Sequence, residues 1–368
     1  MKMTGVAGAE NHLLTLLPGI ANCGIRTHLL ILTEPDYPMD EYAAEMTRLG
    51  VPTEQMLIER DVDMPLFRRL NHYIKEGGFD AVHTHLIHAD LHGITAAIQA
   101  GVKYIYMSGH NDDPFRRRLP IRAMQNLLWR RITRGIAISE AVRQFMIKVE
   151  GAPPTKAVTI HYGLDLKKHA VGVGARQIFR HELGLPEQTP VFGSVCRLIE
   201  QKGLSDSLRA FWQISRQVPE AQYVLVGDGP LRAELEREVD AYHLRHRVHF
   251  LGWRKDAQAM ISAFDALVMP SKWEGFGLVA LEAMAVRTPV IATMVSALPE
   301  IVIDGETGFL VQSGDVEGLS QAMMDICQYP QESRQMGVAG RERLETHFSA
   351  ASMIQKTAEL YQETAKPS

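Results

Sequence analysis

The chain has 368 residues, 46% hydrophobic and 22% charged, enough for two cores and without the polar bias of a disordered protein. Its formal net charge of -4 argues against nucleic acid as the main partner. Three widely spaced cysteines, Cys23, Cys196 and Cys327, point to a reducing cytoplasm and to no structural metal.

No run reaches the roughly 18 apolar residues that a membrane-spanning helix needs, and residues 1–10 lack the apolar core of a signal peptide. Short β-branched runs alternate with longer helical patterns from end to end, as in βαβ units that build parallel sheets. Helix 9–21 comes first, then strand 27–33 and helices 41–49 and 65–75. Strand 81–85, helix 90–99, strand 104–108, helix 120–131, strand 135–139, helix 140–149 and strand 157–161 follow. Both patterns break over 166–188, where Gly172, Gly174 and Gly184 cluster, and this sets the boundary between two similar α/β sandwiches. The second half carries strands 191–196, 223–226, 248–251, 266–269, 290–292 and 308–311, most followed by a helical segment. The expected domains are 1–166 and 167–347. An amphipathic helix within 348–368 caps its own domain or crosses back onto the first. A cleft between the domains is the natural ligand site.

The segment 271–285 is the most informative. It follows the apolar run Ala266-Leu-Val-Met-Pro270 and sets Glu274 and Glu282 around a glycine turn that opens a helix. Glu274 is therefore expected in a loop at the carboxyl end of a strand, where open α/β sheets bind ligands. The amides of Phe276, Gly277 and Leu278 would be first-turn donors, and with the helix dipole they make a seat for a diphosphate. Glu282, about two turns beyond Glu274, would reach another part of the same ligand. The competing reading is an acidic first turn and one solvated carboxylate.

Arg197 and Lys202-Gly203 follow the first strand of the second half. Two cations beside a helix start suit a leaving diphosphate, whose charge grows as a glycosidic bond breaks. Val226-Gly227-Asp-Gly229-Pro230 is a strand, a glycine turn and a helix start, weak evidence by itself. The run Val248-His-Phe250-Leu251-Gly252-Trp253 ends another strand, and backbone groups at Phe250 and Leu251 could meet a base edge. A tight packed turn explains it equally well.

In order and together, these pieces resemble the retaining, nucleotide-sugar-dependent glycosyltransferases of the GT-B fold, the glycogen-synthase-like and mannosyltransferase-like family. The matched elements are Arg197 with Lys202-Gly203, the Val226–Pro230 turn, Glu274 to Glu282, and Gly305-Glu-Thr-Gly308-Phe-Leu. The resemblance implies two Rossmann-like doubly wound parallel-sheet domains facing a cleft. It implies that Arg197 and Lys202 hold the diphosphate, that Glu282 binds ribose hydroxyls and that Glu274 faces hydroxyls of the transferred sugar. The first half would bind the acceptor through the loop at Gly8-Ala9-Glu10 and through His110, which follows strand 104–108.

His83 and His85 share a strand face without a third close ligand, so packing or support of another side chain is expected rather than a metal. Asp61-Val-Asp63 precedes Met64-Pro65 and a helix, so it is read as an N-cap. No obligatory metal is expected, Arg197, Lys202 and a helix terminus taking that role. The run from Arg116 to Arg134 holds seven arginines and no acid, and could rest on anionic lipid at the inner face of the membrane. Surface charge alone also accounts for it.

One departure stands out. Only Met1-Lys-Met-Thr4 precedes the glycine loop Gly5-Val-Ala-Gly8, so the central first strand of the first domain is expected to be missing, with exposed edges on both neighbours. The function implied is transfer of a hexosyl unit from a nucleoside-diphosphate sugar to a glycan or lipid-linked acceptor, in polysaccharide or cell-envelope synthesis. The rivals are a sugar-nucleotide epimerase and a non-catalytic subunit that binds nucleotide sugar. Donor base, sugar, acceptor and linkage depend on loop geometry that the sequence does not fix.

Overall fold

The computed structural model describes residues 1–368 except 4, 7, 173 and 366–368. The chain divides into two compact units, Met1–Gly163 with Ala350–Ser368, and Leu164–Ser349. Each is an α/β sandwich of parallel strands.

In the second unit, six strands lie in one sheet: β8 (Val191–Val195), β9 (Gln222–Val226), β10 (Val248–Gly252), β11 (Ala266–Met269), β12 (Val290–Thr293) and β13 (Gly308–Val311), in the order β10-β9-β8-β11-β12-β13. Every residue of β11 and β12 is buried, as expected when helices cover both faces of a parallel sheet. One face packs Phe192, Tyr223, Leu225, Val268 and Ile291 against Phe211, Ile214, Leu319 and Met323 of the flanking helices. The helix Ala175–Glu182 lies in the stretch read from sequence as a boundary. Arg180 fastens it: the buried guanidinium donates to the carbonyls of Ala263, Pro186, Glu187 and Thr189 and to Asp265 Oδ2, at 2.7–3.0 Å.

The first unit holds two sheets. Strands β1 (Lys2–Met3), β2 (Leu29–Thr33) and β3 (Thr53–Leu57) form one, and β4 (Ala81–His85), β5 (Tyr104–Gly109), β6 (Arg134–Ala137) and β7 (Ala157–Thr159) form the other, in that order. The expectation of a missing first strand is corrected: a two-residue strand pairs Lys2 with Leu32 and Met3 with Thr33. It is too short to bridge β2 and β4. A cavity of about 630 Å³ lies between them, walled by Leu29, Leu30 and Leu32 on one side and residues 81–85 on the other. β3 is not legible in the sequence because Thr-Glu-Gln-Met-Leu lacks apolar alternation, as befits an edge strand.

One expectation holds at residue level. Asp63 caps the helix Met64–Gly77, accepting from the Leu66 amide at 2.8 Å and the Glu59 amide at 3.0 Å. The helix Ala350–Ala365 groups with the first unit and packs on the helix Gly8–Asn22, where Gly19 leaves room for Ile354.

Candidate active site

The strand order of the second unit reverses between β8 and β11, so the crevice at their carboxyl ends is a topological switch point, the place where such sheets take ligands. The loop after β8 carries Arg197 and Lys202, and the loop after β11 carries Glu274. Gly203 brings them together. Its φ of +61° is left-handed, and a Cβ there would lie 2.1 Å from the Pro270 carbonyl oxygen, so only glycine allows this approach. Lys202 Nζ then lies 2.6 Å from Glu274 Oε2, both side chains mostly buried, and Ser271 Oγ donates to the same oxygen at 3.4 Å. The Glu274 amide donates to Ser296 Oγ at 3.2 Å, fixing the loop from the other side. Arg197 is exposed and has no side-chain partner among the described residues.

Gly277, at φ +99°, caps the helix Leu278–Ala285. The amides of Gly277 and Leu278 donate to no protein group among the described residues, which leaves the positive helix end open. Glu282 stands one turn beyond Leu278 on the same face. It has no hydrogen-bond or ion-pair partner among the described residues, and burial pushes its carboxyl up to about 7. Phe276 is buried with its ring 6.0 Å from that of Phe348, so it contributes packing and main chain rather than an exposed ring. Burial pushes the Cys196 thiol up to about 12, which disfavours the thiolate.

At the neighbouring strand ends, the Gly227 amide donates to the Gly252 carbonyl at 2.8 Å, bringing the Gly227 turn beside Phe250 and Leu251. Arg232, not among the residues the sequence pointed to, lies here too. It pairs with Asp228 at 3.2 Å and Glu236 at 3.0 Å and lies 5.9 Å from the Phe250 ring centroid. Its i,i+4 spacing to both acids was the available signal.

In the first unit, His110 sits at the end of β5 and is buried. Its Nε2 shares a hydrogen bond with His85 Nδ1 at 2.9 Å and its Nδ1 bonds the Tyr162 hydroxyl, so the fold itself engages both ring nitrogens. Burial, then the fields of His83 and Arg116, lowers His110 to about 3, and the ring is neutral. His83 bonds Tyr361 and, at 2.8 Å, Ser108. The strand pair thus supports other side chains; Tyr162, the third member, is not legible in the sequence because it lies 52 residues beyond His110. Gly8 opens the helix Gly8–Asn22, and the buried Glu10 accepts the Tyr42 hydroxyl at its carbonyl, at 2.7 Å.

The basic run divides. Arg116 is buried, which corrects its assignment to a lipid-facing surface, while Arg117, Arg118, Arg122, Arg130 and Arg131 are exposed.

A family model described as glycosyl transferases group 1 matches residues 175–343, and one described as glycosyltransferase family 4 matches residues 6–168. A GDP-mannose-dependent monoacylated alpha-(1-6)-phosphatidylinositol monomannoside mannosyltransferase of Corynebacterium glutamicum is 30% identical over 281 residues, 72% of each chain. The chain belongs to the glycosyl transferases group 1 family. The Escherichia coli UDP-Gal:alpha-D-GlcNAc-diphosphoundecaprenol alpha-1,3-galactosyltransferase is 26% identical over 374 residues, 96% of each chain. The Anabaena protein HepE, solved with UDP, superposes with a TM-score of 0.86 at 22% identity over 98% of each chain. This glycosyltransferase therefore has the GT-B fold.

Within the glycosyltransferase, the sequence-predicted residues other than Arg197 and Phe276 fall into three groups. Lys202 and Glu274 are in direct contact, and the amides of Gly277 and Leu278 share a helix end with Glu282. Gly227, Phe250 and Leu251 meet at the ends of β9 and β10. His110 and Gly8 belong to the other unit.

Proposed function

We propose that this protein is a retaining hexosyltransferase that moves a sugar from a nucleoside diphosphate to a glycan or lipid-linked acceptor. The observation that carries the reading is the Lys202–Glu274 pair at the switch point, beside an open helix end and the unpartnered Glu282. A diphosphate arriving at the helix end would draw Lys202 and Arg197 to its oxygens. Glu274, released from Lys202, would accept hydrogen bonds from hydroxyls of the donor sugar, and Glu282 from the ribose. As the anomeric bond breaks, negative charge builds on the leaving phosphate, where the cations and amides stabilise it best. That phosphate then takes the acceptor's proton. These two cations can supply the charge that a metal would otherwise bring, so no obligatory metal is part of the proposal.

The donors named for the relatives, a UDP-sugar and a GDP-sugar, define the panel. Thermal stabilisation by UDP-glucose, UDP-galactose, UDP-N-acetylglucosamine or GDP-mannose, followed by donor hydrolysis, tests the reading. Release of an altered sugar without acceptor would favour an epimerase, and stabilisation without turnover a binding subunit.

A membrane-borne acceptor is supported by one further feature. The helix Leu119–Trp129 exposes Leu119 (76%) and Leu127 (60%) at positions two turns apart, flanked by the exposed arginines. This composition suits the face of an anionic bilayer. Flotation with phosphatidylglycerol vesicles, compared with phosphatidylcholine, checks it; no helix among the described residues is long and apolar enough to cross a membrane.

A further inference from the structure

Residues 110–117 form a strap between β5 and the helix Leu119–Trp129, and buried polar contacts fasten it at both ends. At one end His110 is held by His85 and Tyr162. At the other, Arg116 is 4% exposed, with Nε 3.0 Å from Glu150 Oε1 and Nη2 3.6 Å from Asp90 Oδ2; these two side chains are 1% and 0% exposed. The stretch between, residues 111–115, is half-buried or exposed.

The surroundings are built around this ion triad. Asp90 opens a π-helical turn, Asp90–Ile94, and Glu150 closes another, Met146–Glu150. Such turns are rare and are frequently found at functional sites. Thr84 of β4 donates to Asp90 at 2.7 Å, and the following helix buries Gln125 and Trp129. Apolar side chains of the same volume often serve stability as well as or better than three buried charges, so stability alone does not account for the triad. The same three segments, 85–90, 110–116 and 150–162, supply the histidine–histidine–tyrosine set at one end and the acid–arginine–acid set at the other.

We propose that Arg116 is a positioning residue: clamped between Asp90 and Glu150, it fixes the strap and, through it, His110 at the carboxyl end of β5. The inference rests on the glycosyl-transfer reading for its functional half only. Parallel strands present ligand-binding loops at their carboxyl ends, and a loop held rigidly there orients a substrate without losing entropy at each turnover. The Arg116 charge also adds to burial and to His83 in keeping His110 neutral.

The test compares wild type, Arg116→Lys and the charge-free triple variant Asp90→Asn, Arg116→Met, Glu150→Gln. Amide exchange over 110–118 and the kcat and KM of UDP- and GDP-sugar hydrolysis are measured for each. The triple variant keeps a cooperative thermal transition, exchanges at least about tenfold faster in the strap, and loses about tenfold in kcat with donor KM unchanged. Arg116→Lys, which reaches one carboxylate but not both, falls between and stands in should the triple variant fail to fold. Wild-type exchange in the strap of either variant overturns the clamp, and fast exchange with wild-type kcat overturns the positioning role. Wild-type protein that turns over none of the donors refutes the glycosyl-transfer reading, and the exchange data still decide the clamp.

Discussion

The Lys202 ammonium lies 2.6 Å from Glu274 Oε2, joining the loop after β8 to the loop after β11 where the strand order reverses. The ion pair places a cation and a hydroxyl acceptor side by side at the mouth of the central strands. Lys202→Ala is expected to lower kcat of donor hydrolysis by about 10²- to 10³-fold, the range for losing one preorganised charge donor. Glu274→Gln, which keeps the shape and loses the charge, should lower kcat with little change in donor KM. Steady-state kinetics on both variants check this, and wild-type kcat in either would remove the pair from the mechanism.

Gly203 makes that contact possible. Gly203→Ala meets the Pro270 carbonyl and adopts a left-handed φ, so it should cost about 1–3 kcal/mol of stability and displace Lys202. Denaturant unfolding measures the first effect and donor KM the second. A fully stable variant with wild-type KM would show that the two loops do not depend on this approach.

Glu282 titrates near neutrality, raised by burial to about 7. A ribose hydroxyl needs the carboxylate as acceptor, so donor affinity should rise between pH 6 and pH 8, and Glu282→Gln should bind more weakly and without that slope. Stability runs the other way: a raised carboxyl stabilises the fold below its unfolded pKa and loses that contribution as pH rises through about 7. Glu282→Gln should therefore gain stability over wild type at pH 8, by at most about 3 kcal/mol. Calorimetric titration and thermal melts at pH 6 and 8 decide both signs.

The histidine set of the first unit gives the opposite dependence. Burial lowers His83 and His110 to about 3, and lowers His12 and His85 as well, so all four are neutral in the fold. The unfolded chain binds more protons below about pH 6.5, and each histidine withdraws up to about 1.4 kcal/mol per pH unit as pH falls from there towards 3. Asp90, raised by burial to about 6, partly offsets this between pH 4 and 6. Scanning calorimetry from pH 7 to 4.5 should show a steep loss of Tm; a flat profile would mean that these rings are solvated.

The sequence by itself determined the strands buried on both faces, the glycine-opened helix with Glu282, the Asp63 cap and the family resemblance, because each is written in residues close along the chain. Periodicity and spacing are local quantities, and the apolar run 266–269 followed by Pro270 and Gly277 leaves little freedom. Only the tertiary structure decided what Arg116 touches, because the run around it looks uniformly basic while Asp90 and Glu150 lie 26 and 34 residues away. It also decided that both nitrogens of His110 are engaged, through His85 and Tyr162, and that a short first strand pairs with β2 beside a cavity. The physical reason is the same in each case: burial and long-range partners fix the state of an ionisable side chain, and neither is encoded in its immediate neighbours.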